Sequence, residues 1–253
     1  MFSPRIIGVI PSRYASSRLP GKPLLDICGK TMVEHVYERA VESAVFVKVI
    51  VATDDTRIFE EVKRFGGEVM MTRSNHPDGS SRVAEAVINE DVDYVVNIQG
   101  DEPMLDPRML RELADGLISD KDADSATVCI PITNEEDFNN PNIVKVVCDQ
   151  NRRALYFSRS PIPYLRNSID CPIWEHLGIY AFKKEFLLKM VTLAPTPLMK
   201  TESLEQLRIL EHGYTMVVIP TKYPSKGPNV NTLEDLRKVR EVIETAVKKC
   251  KND

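Results

Sequence analysis

Residues Arg5–Pro23 read RIIGVIPSRYASSRLPGKP, and this stretch decides the fold. Its first half, Arg5–Pro11, is a short run of β-branched residues, the composition of a buried strand. Its second half changes character at once: Arg13, Arg18 and Lys22 are interleaved with Ala15, Ser16, Ser17 and Gly21. A buried strand that empties into a small, cationic loop is the opening of an α/β sheet with its ligand loop at the strand's carboxyl end. The same rhythm continues downstream. Val47–Thr53, Glu68–Thr72 and Tyr94–Gln99 read as strands, and Thr31–Ala44, Asp54–Phe65, Ser80–Asn89 and Asp106–Ile118 read as helices between them. Asp54 suits a helix N-cap, Gly66 a helix end, and Asp106–Pro107 the Ncap and N1 positions. Continuous apolar strands alternating with helices predict a parallel sheet covered on both faces. The loops after Pro11, Thr72 and Gln99 should then meet at one edge of that sheet.

The second half is less regular. Ser125–Ile132, Ile143–Cys148, Ala154–Ser158, Leu177–Phe182 and Thr215–Pro220 read as strands, and Ser203–His212 and Thr232–Lys249 as helices. Prolines at Ser160–Tyr164 and Ala194–Leu198 mark loops. No repeat or flexible linker interrupts the chain, so residues 1–253 are expected to form a single mixed α/β domain. The segment from about 125 to 200 is an elaboration suited to dimer contacts.

Composition narrows the function. A formal net charge of -4 and a pI near 5.7 argue against a nucleic-acid partner, which calls for a basic surplus. No apolar run reaches the roughly 18 residues of a membrane span, and the N-terminus lacks the pattern of a signal peptide. The 5 cysteines are scattered without a CxxC pair, as in a reducing compartment, so the cytoplasm is the expected location.

The chemistry sits in the loops. Arginine forks at positions 13 and 18 and the mobile ammonium of Lys22 suit phosphate oxygens, and Gly21 permits close backbone approach. Cys28-Gly29-Lys30-Thr31 imitates the end of a P-loop, but that motif needs a glycine where Leu24 stands, so a turn before the next helix is expected. In NIQGDEPM, Asp101 and Glu102 follow a buried strand, where a carboxylate can share Mg²⁺ with substrate phosphates. Asp91-Val-Asp93 resembles a DxD metal motif but precedes its strand, which predicts a solvated turn. His176 and Tyr180 share one side of a strand by period-two alternation. Glu205-Gln206 follows Ser203 at capping-box spacing, so Gln206 reads either as a helix-start residue or as a site residue. No G-x-S-x-G, H-E-x-x-H or G-x-G-x-x-G pattern is present, which removes the common nucleophilic, zinc-protease and dinucleotide readings.

Together, PSRYASSRLPGKPL, VATDD, GGEVMMTRSNHPDGSSRVAEA, NIQGDEPM, VKVV, ALYFSRSPIPY, EHLGIYAF, LEQLRILEHG and VNTLEDL resemble, in order and along nearly the whole chain, the CMP-Kdo synthetases (3-deoxy-manno-octulosonate cytidylyltransferases). The resemblance implies a homodimeric nucleotidyltransferase α/β fold with a Rossmann-like mixed sheet. It also implies Mg²⁺-dependent transfer of CMP from CTP to an acidic sugar, in lipopolysaccharide or capsule synthesis. By motif position, Pro11, Arg13, Arg18 and Lys22 would hold the triphosphate, and Arg73, Gly79, Ser80 and Gln99 would bind the nucleotide. Asp101 would bind the metal, and Arg159, His176, Tyr180, Glu205 and Gln206 would line the acceptor pocket. One position departs from the pattern: Asn231 stands where the family carries a second metal-binding aspartate. Asn231 also reads as an N-cap, with Glu234 completing a capping box, but aspartate would cap equally well. The change therefore bears on metal use and acceptor choice. A different acid (an aminated Kdo, another ulosonic acid or a phosphonate) and a silent nucleotide-binding paralogue are the alternatives.

Overall fold

Ile6, Ile7, Val9 and Ile10 are all buried in the first strand, β1 (Ile6–Ser12), of the computed structural model, which describes residues 4–15, 19–167 and 171–250, with side chains to 245. The chain divides into two compact units, one formed by residues 1–111 and 223–253 and the other by residues 112–222.

In the first unit, a 3₁₀ turn at Lys22–Leu24 leads to a tight hairpin of β2 (Asp26–Ile27) and β3 (Lys30–Thr31). Cys28 and Gly29, at φ 55° and 91°, make its two-residue turn, so the P-loop look-alike is a hairpin in front of a helix. Then follow α1 (Met32–Glu42), β4 (Lys48–Thr53), α2 (Thr56–Arg64), β5 (Glu68–Met71), α3 (Gly79–Val87) and β6 (Tyr94–Asn97). The strands stand side by side as β6-β1-β4-β5, every pair parallel. Helix α3 packs on β1, β4 and β6. Asp55, rather than Asp54, caps α2 by accepting the Arg57 amide at 2.9 Å. Asp54 is engaged elsewhere, as described below. Asp91 and Asp93 lie before β6 and bond Arg5, a surface turn at the strand's amino end.

Helix α4 (Pro107–Ser119) carries the chain from one unit to the next, with Asp106 Oδ1 accepting the Arg108 amide at 3.0 Å. The second unit holds β7 (Ser125–Pro131), α5 (Glu135–Asn139), β8 (Lys145–Cys148), β9 (Ala154–Ser158), β10 (Trp174–Lys183), α6 (Lys184–Met190), α7 (Pro197–Glu202), α8 (Leu207–Glu211) and β11 (Met216–Pro220). Here the sheet is mixed: β11 runs parallel to β7, whereas β10 is antiparallel to both β7 and β8. Strand β9 pairs antiparallel with β8. The helix expected over Ser203–His212 is broken. Pro197 opens α7 at N1, and Ser203 ends it in the left-handed region at φ 53°. Gln206 precedes α8 without a side-chain cap bond, so the Ser203–Gln206 capping box does not form. The chain then returns to the first unit and ends in α9 (Leu233–Cys250). Among the described residues no helix is long and apolar enough to cross a membrane.

Candidate active site

At the carboxyl ends of β1 and β6, a cavity of about 370 Å³ is lined by Pro11, Ser12, Arg13, Lys22, Gly79, Gln99, Gly100 and Asp101, among others. Each wall has a local cause. Gly21, at φ 70°, turns the chain so that Lys22 starts the 3₁₀ turn, and its amide returns to the Tyr14 carbonyl at 2.9 Å. A Cβ on Gly100 would stand 3.2 Å from the Pro11 carbonyl, so the smallest residue lets the β1 and β6 loops meet. Asp78 caps α3 through the Ser81 amide at 2.8 Å, which leaves the first turn of that helix, at Gly79, on the cavity wall. A helix N-terminus favours negative charge. Arg13 ties the walls together by donating from Nη2 to the His76 carbonyl at 2.7 Å and the Asp78 carbonyl at 3.0 Å.

The floor is ionic. Lys22 Nζ bonds Asp101 Oδ2 at 2.7 Å and the Val230 carbonyl at 2.8 Å, with 16% and 22% exposure for the two charged side chains. Val230 in turn donates its amide to the Asp101 carbonyl at 2.9 Å. Next to this pair, Glu102 is buried and its carboxyl is pushed up to about 7, first by burial and then by the Asp101 charge. The buried hydroxyl of Ser12 finds no hydrogen-bond partner among the described residues. Cation, helix N-terminus and partnerless hydroxyl make a receptor for an anion, with one carboxylate at its edge.

Behind the wall lies an anchor that the sequence reading did not pick out. Arg82 of α3 has a side-chain exposure of 0% and donates to Asp54 Oδ2 at 2.9 Å and to Thr72 Oγ1 at 2.5 Å. It pins α3 to the ends of β4 and β5. The available signal was a charge amid the apolar positions Val83, Ala86 and Val87 of the helix.

The other expected nucleotide residues divide. Ser80 is buried in the first turn of α3, beside Gly79. Arg73 does not line the cavity: its side chain is 71% exposed and paired with Glu85 at 2.9 Å. Arg18 lies outside the described residues. Asn231 follows Val230 and so stands beside Asp101 along the chain path, but it is not the cap of α9. Thr232 Oγ1 accepts the Asp235 amide at 3.2 Å, and Asp235 Oδ2 accepts the Asn231 and Thr232 amides at 3.0 and 2.8 Å. The capping box is therefore Thr232–Asp235, one residue later than Asn231–Glu234.

All five expected acceptor residues belong to the second unit. Tyr180 donates to Gln206 Oε1 at 3.3 Å, and the His176 and Tyr180 rings lie 5.5 Å apart on β10. Burial holds His176 down to about 3, so it is neutral, with Nε2 bonded to Thr127 Oγ1 at 2.9 Å. Gln206 is 3% exposed, and its Nε2 has no partner among the described residues. The Arg159 guanidinium is held on two carbonyls, donating from Nε to Glu202 at 2.9 Å and from Nη1 to Pro141 at 3.0 Å. Lys145, fully buried, donates to the Arg159, Ile143 and Asn140 carbonyls at 2.8, 2.7 and 3.0 Å and so fixes the turn that presents Arg159. Glu205, which precedes Gln206, stands 3.7 Å from Arg208.

Comparison with known proteins places this arrangement among relatives. The family model described as Cytidylyltransferase matches residues 7–219. A 3-deoxy-manno-octulosonate cytidylyltransferase of Syntrophobacter fumaroxidans is 48% identical, over 94% of this chain and 97% of that protein. One from Syntrophotalea carbinolica is 46% identical, over 92% and 96%. The solved structure of CMP:2-keto-3-deoxy-manno-octonic acid synthetase complexed with CTP superposes with a TM-score of 0.91 at 43% identity, covering 96% of this chain and 99% of that one.

Proposed function

Because the chain belongs to the 3-deoxy-manno-octulosonate cytidylyltransferase family, we propose that it transfers CMP from CTP to 3-deoxy-manno-octulosonate and releases pyrophosphate. The observation that carries this reading is the convergence of Arg13, Lys22, the first turn of α3 and Asp101 on one cavity. In the reaction a sugar hydroxyl oxygen gives up its proton to solvent water and forms a bond to the α-phosphorus. The bond to the bridging oxygen breaks, and its electron pair leaves with pyrophosphate. Such transfers depend on positioning and on neutralising phosphate charge. Arg13 and Lys22 supply that neutralisation, and the α3 amides at Gly79 and Ser80 add fixed dipoles. Gln99 borders the nucleotide. Lys22 spends two of its three N–H donors on Asp101 and the Val230 carbonyl, which aim the ammonium, and keeps the third for a phosphate oxygen.

The residues present fit Mg²⁺. Asp101 offers a carboxylate at the cavity edge, and the Val230–Asp101 backbone bond brings residue 231 alongside it. One or two carboxylates with phosphate oxygens are the usual Mg²⁺ set. Bound there, the ion would polarise the α-phosphate. Asn231 contributes an amide oxygen without charge, so the reading includes weaker or differently selective metal use than an aspartate would give.

For the acceptor, Arg159 suits the sugar carboxylate, and the Gln206 Nε2, which has no partner among the described residues, suits its hydroxyls. His176, neutral and fixed by Thr127, would shape that pocket rather than carry charge. We propose the homodimer as the working form, supported by the exposed apolar Leu155, Tyr164 and Leu165 in the second unit. The deciding experiment measures pyrophosphate release with each of the four nucleoside triphosphates against a panel of acids. The expected result is release with CTP and 3-deoxy-manno-octulosonate. Faster turnover of another ulosonic acid or a phosphonate would reassign the acceptor. Tight CTP binding with no turnover would make the protein a binder.

A further inference from the structure

The segment that carries Asn231 to the cavity is laid along the Asp101–Met104 loop. The Lys226 amide donates to the Met104 carbonyl at 3.2 Å, and the Val230 amide to the Asp101 carbonyl at 2.9 Å. Between these rungs the fit is close: a Cβ on Gly227 would stand 2.4 Å from Met104 Sδ. Glu102 sits at the centre of the contact. It is 4% exposed and does not line the cavity, yet it accepts the Ser225 hydroxyl at 3.1 Å and the Asn229 side chain. One carboxyl thus takes donors from both sides of the Gly227–Pro228 bend. A buried carboxyl without donors is costly, so seating the segment and burying Glu102 are a single event. Neither Ser225 nor Asn229 reaches the cavity walls, so the link has no direct part in ligand contact.

We propose that Glu102 is a positioning residue: it clamps the 225–231 segment to the Asp101 loop, thereby setting residue 231 against Asp101 and holding the Val230 carbonyl on Lys22. Its catalytic meaning rests on the cytidylyl-transfer reading above, whereas the clamp itself is a matter of geometry. The neighbouring Asp101 and Asn231 meet the ligand, and Glu102 acts through both.

Two readouts test this on the full chain. In Glu102→Ala, amide exchange across residues 223–232 should rise by about 10-fold or more while β1 and β4 stay protected. The half-saturating Mg²⁺ concentration for pyrophosphate release should rise by roughly 10- to 100-fold, the usual effect of removing support behind a metal ligand. Glu102→Gln, which keeps an acceptor for Ser225, should return both readouts to within about 3-fold of the parent. If Glu102→Ala fails to fold, the double variant Ser225→Ala/Asn229→Ala loosens the same segment from its other side and should reproduce both effects. Unchanged exchange over 223–232 in these variants overturns the clamp. Looser exchange with unchanged Mg²⁺ dependence overturns its role in positioning. If the parent turns over no acid, the functional reading has failed, and the exchange measurement still decides the clamp.

Discussion

Replacing Asp54 by alanine removes a carboxylate that lies outside the cavity and yet holds its wall. The guanidinium of Arg82, at 0% side-chain exposure, would keep Thr72 Oγ1 and lose its counter-charge at 2.9 Å. Breaking a buried pair from one side costs about 3–5 kcal/mol, because a charge is left in a poorly polarisable surrounding. Asp54 itself is 17% exposed, so water can enter the space it vacates, which places the expected loss at the lower end, about 3 kcal/mol. With a urea dependence of roughly 2 kcal/mol per molar, the denaturation midpoint should fall by about 1.5 M. Helix α3 carries Gly79 and Ser80 on its first turn, so KM for CTP should rise alongside. The assay is a urea titration followed by circular dichroism, paired with CTP kinetics in dilute denaturant-free buffer. The control is Asp54→Ala/Arg82→Met, in which the stranded charge is gone and most of the lost stability should return. A midpoint shift under about 0.5 M for the single variant, or a double variant as unstable as the single, would refute the argument.

Lys22→Met should lower kcat by roughly 10²- to 10³-fold, as loss of a preorganised donor to developing charge does, while stability measured by thermal unfolding moves little. Asn231→Asp should lower the Mg²⁺ concentration needed for half-maximal pyrophosphate release, and an unchanged Mg²⁺ titration would sink the idea that this position meets the metal. His176 titrates near 6.5 when unfolded and is held down to about 3 when folded, so the unfolded chain binds the extra proton as pH falls. Its contribution to stability is complete above about pH 6.5 and drains away toward pH 3, roughly 2 kcal/mol of it by pH 5. His176→Gln should flatten that part of the stability profile, as read from urea midpoints at pH 7 and pH 5.

The parallel sheet of the first unit was legible because its strands are largely apolar runs alternating with helices of the right period, and helix boundaries fell within a residue or two. The second unit was harder. Pro197 reads as a loop marker yet serves as a helix N1, and Ser203 takes a left-handed conformation that no local pattern announces. Short helices such as α5 and α6 offer few turns for periodicity to show. In the site, Arg13, Lys22 and Asp101 were visible because charge and strand end coincide in the sequence, whereas Gly79 and Gln99 entered only through the family resemblance. Arg82 was not visible, nor was the clamping role of Glu102, since these depend on partners 28 and 123 residues away whose geometry only the fold supplies. The cap at Thr232 was missed because Asn231–Glu234 offers the same local spacing one residue earlier. Arg73 shows the converse: a basic residue in a matching motif that turns to its own neighbour, Glu85.

The first unit is written in two pieces, with the second unit spliced between Arg111 and Tyr223. During synthesis, therefore, the cationic loop, the α3 turn and Asp101 all leave the ribosome long before Val230, the residue whose carbonyl steadies Lys22 and whose amide closes on Asp101. A growing chain can hold every phosphate ligand and still have an unfinished receptor. Competence to grip nucleotide arrives only once translation has passed Val230, so a chain stalled before residue 230 should not sequester CTP.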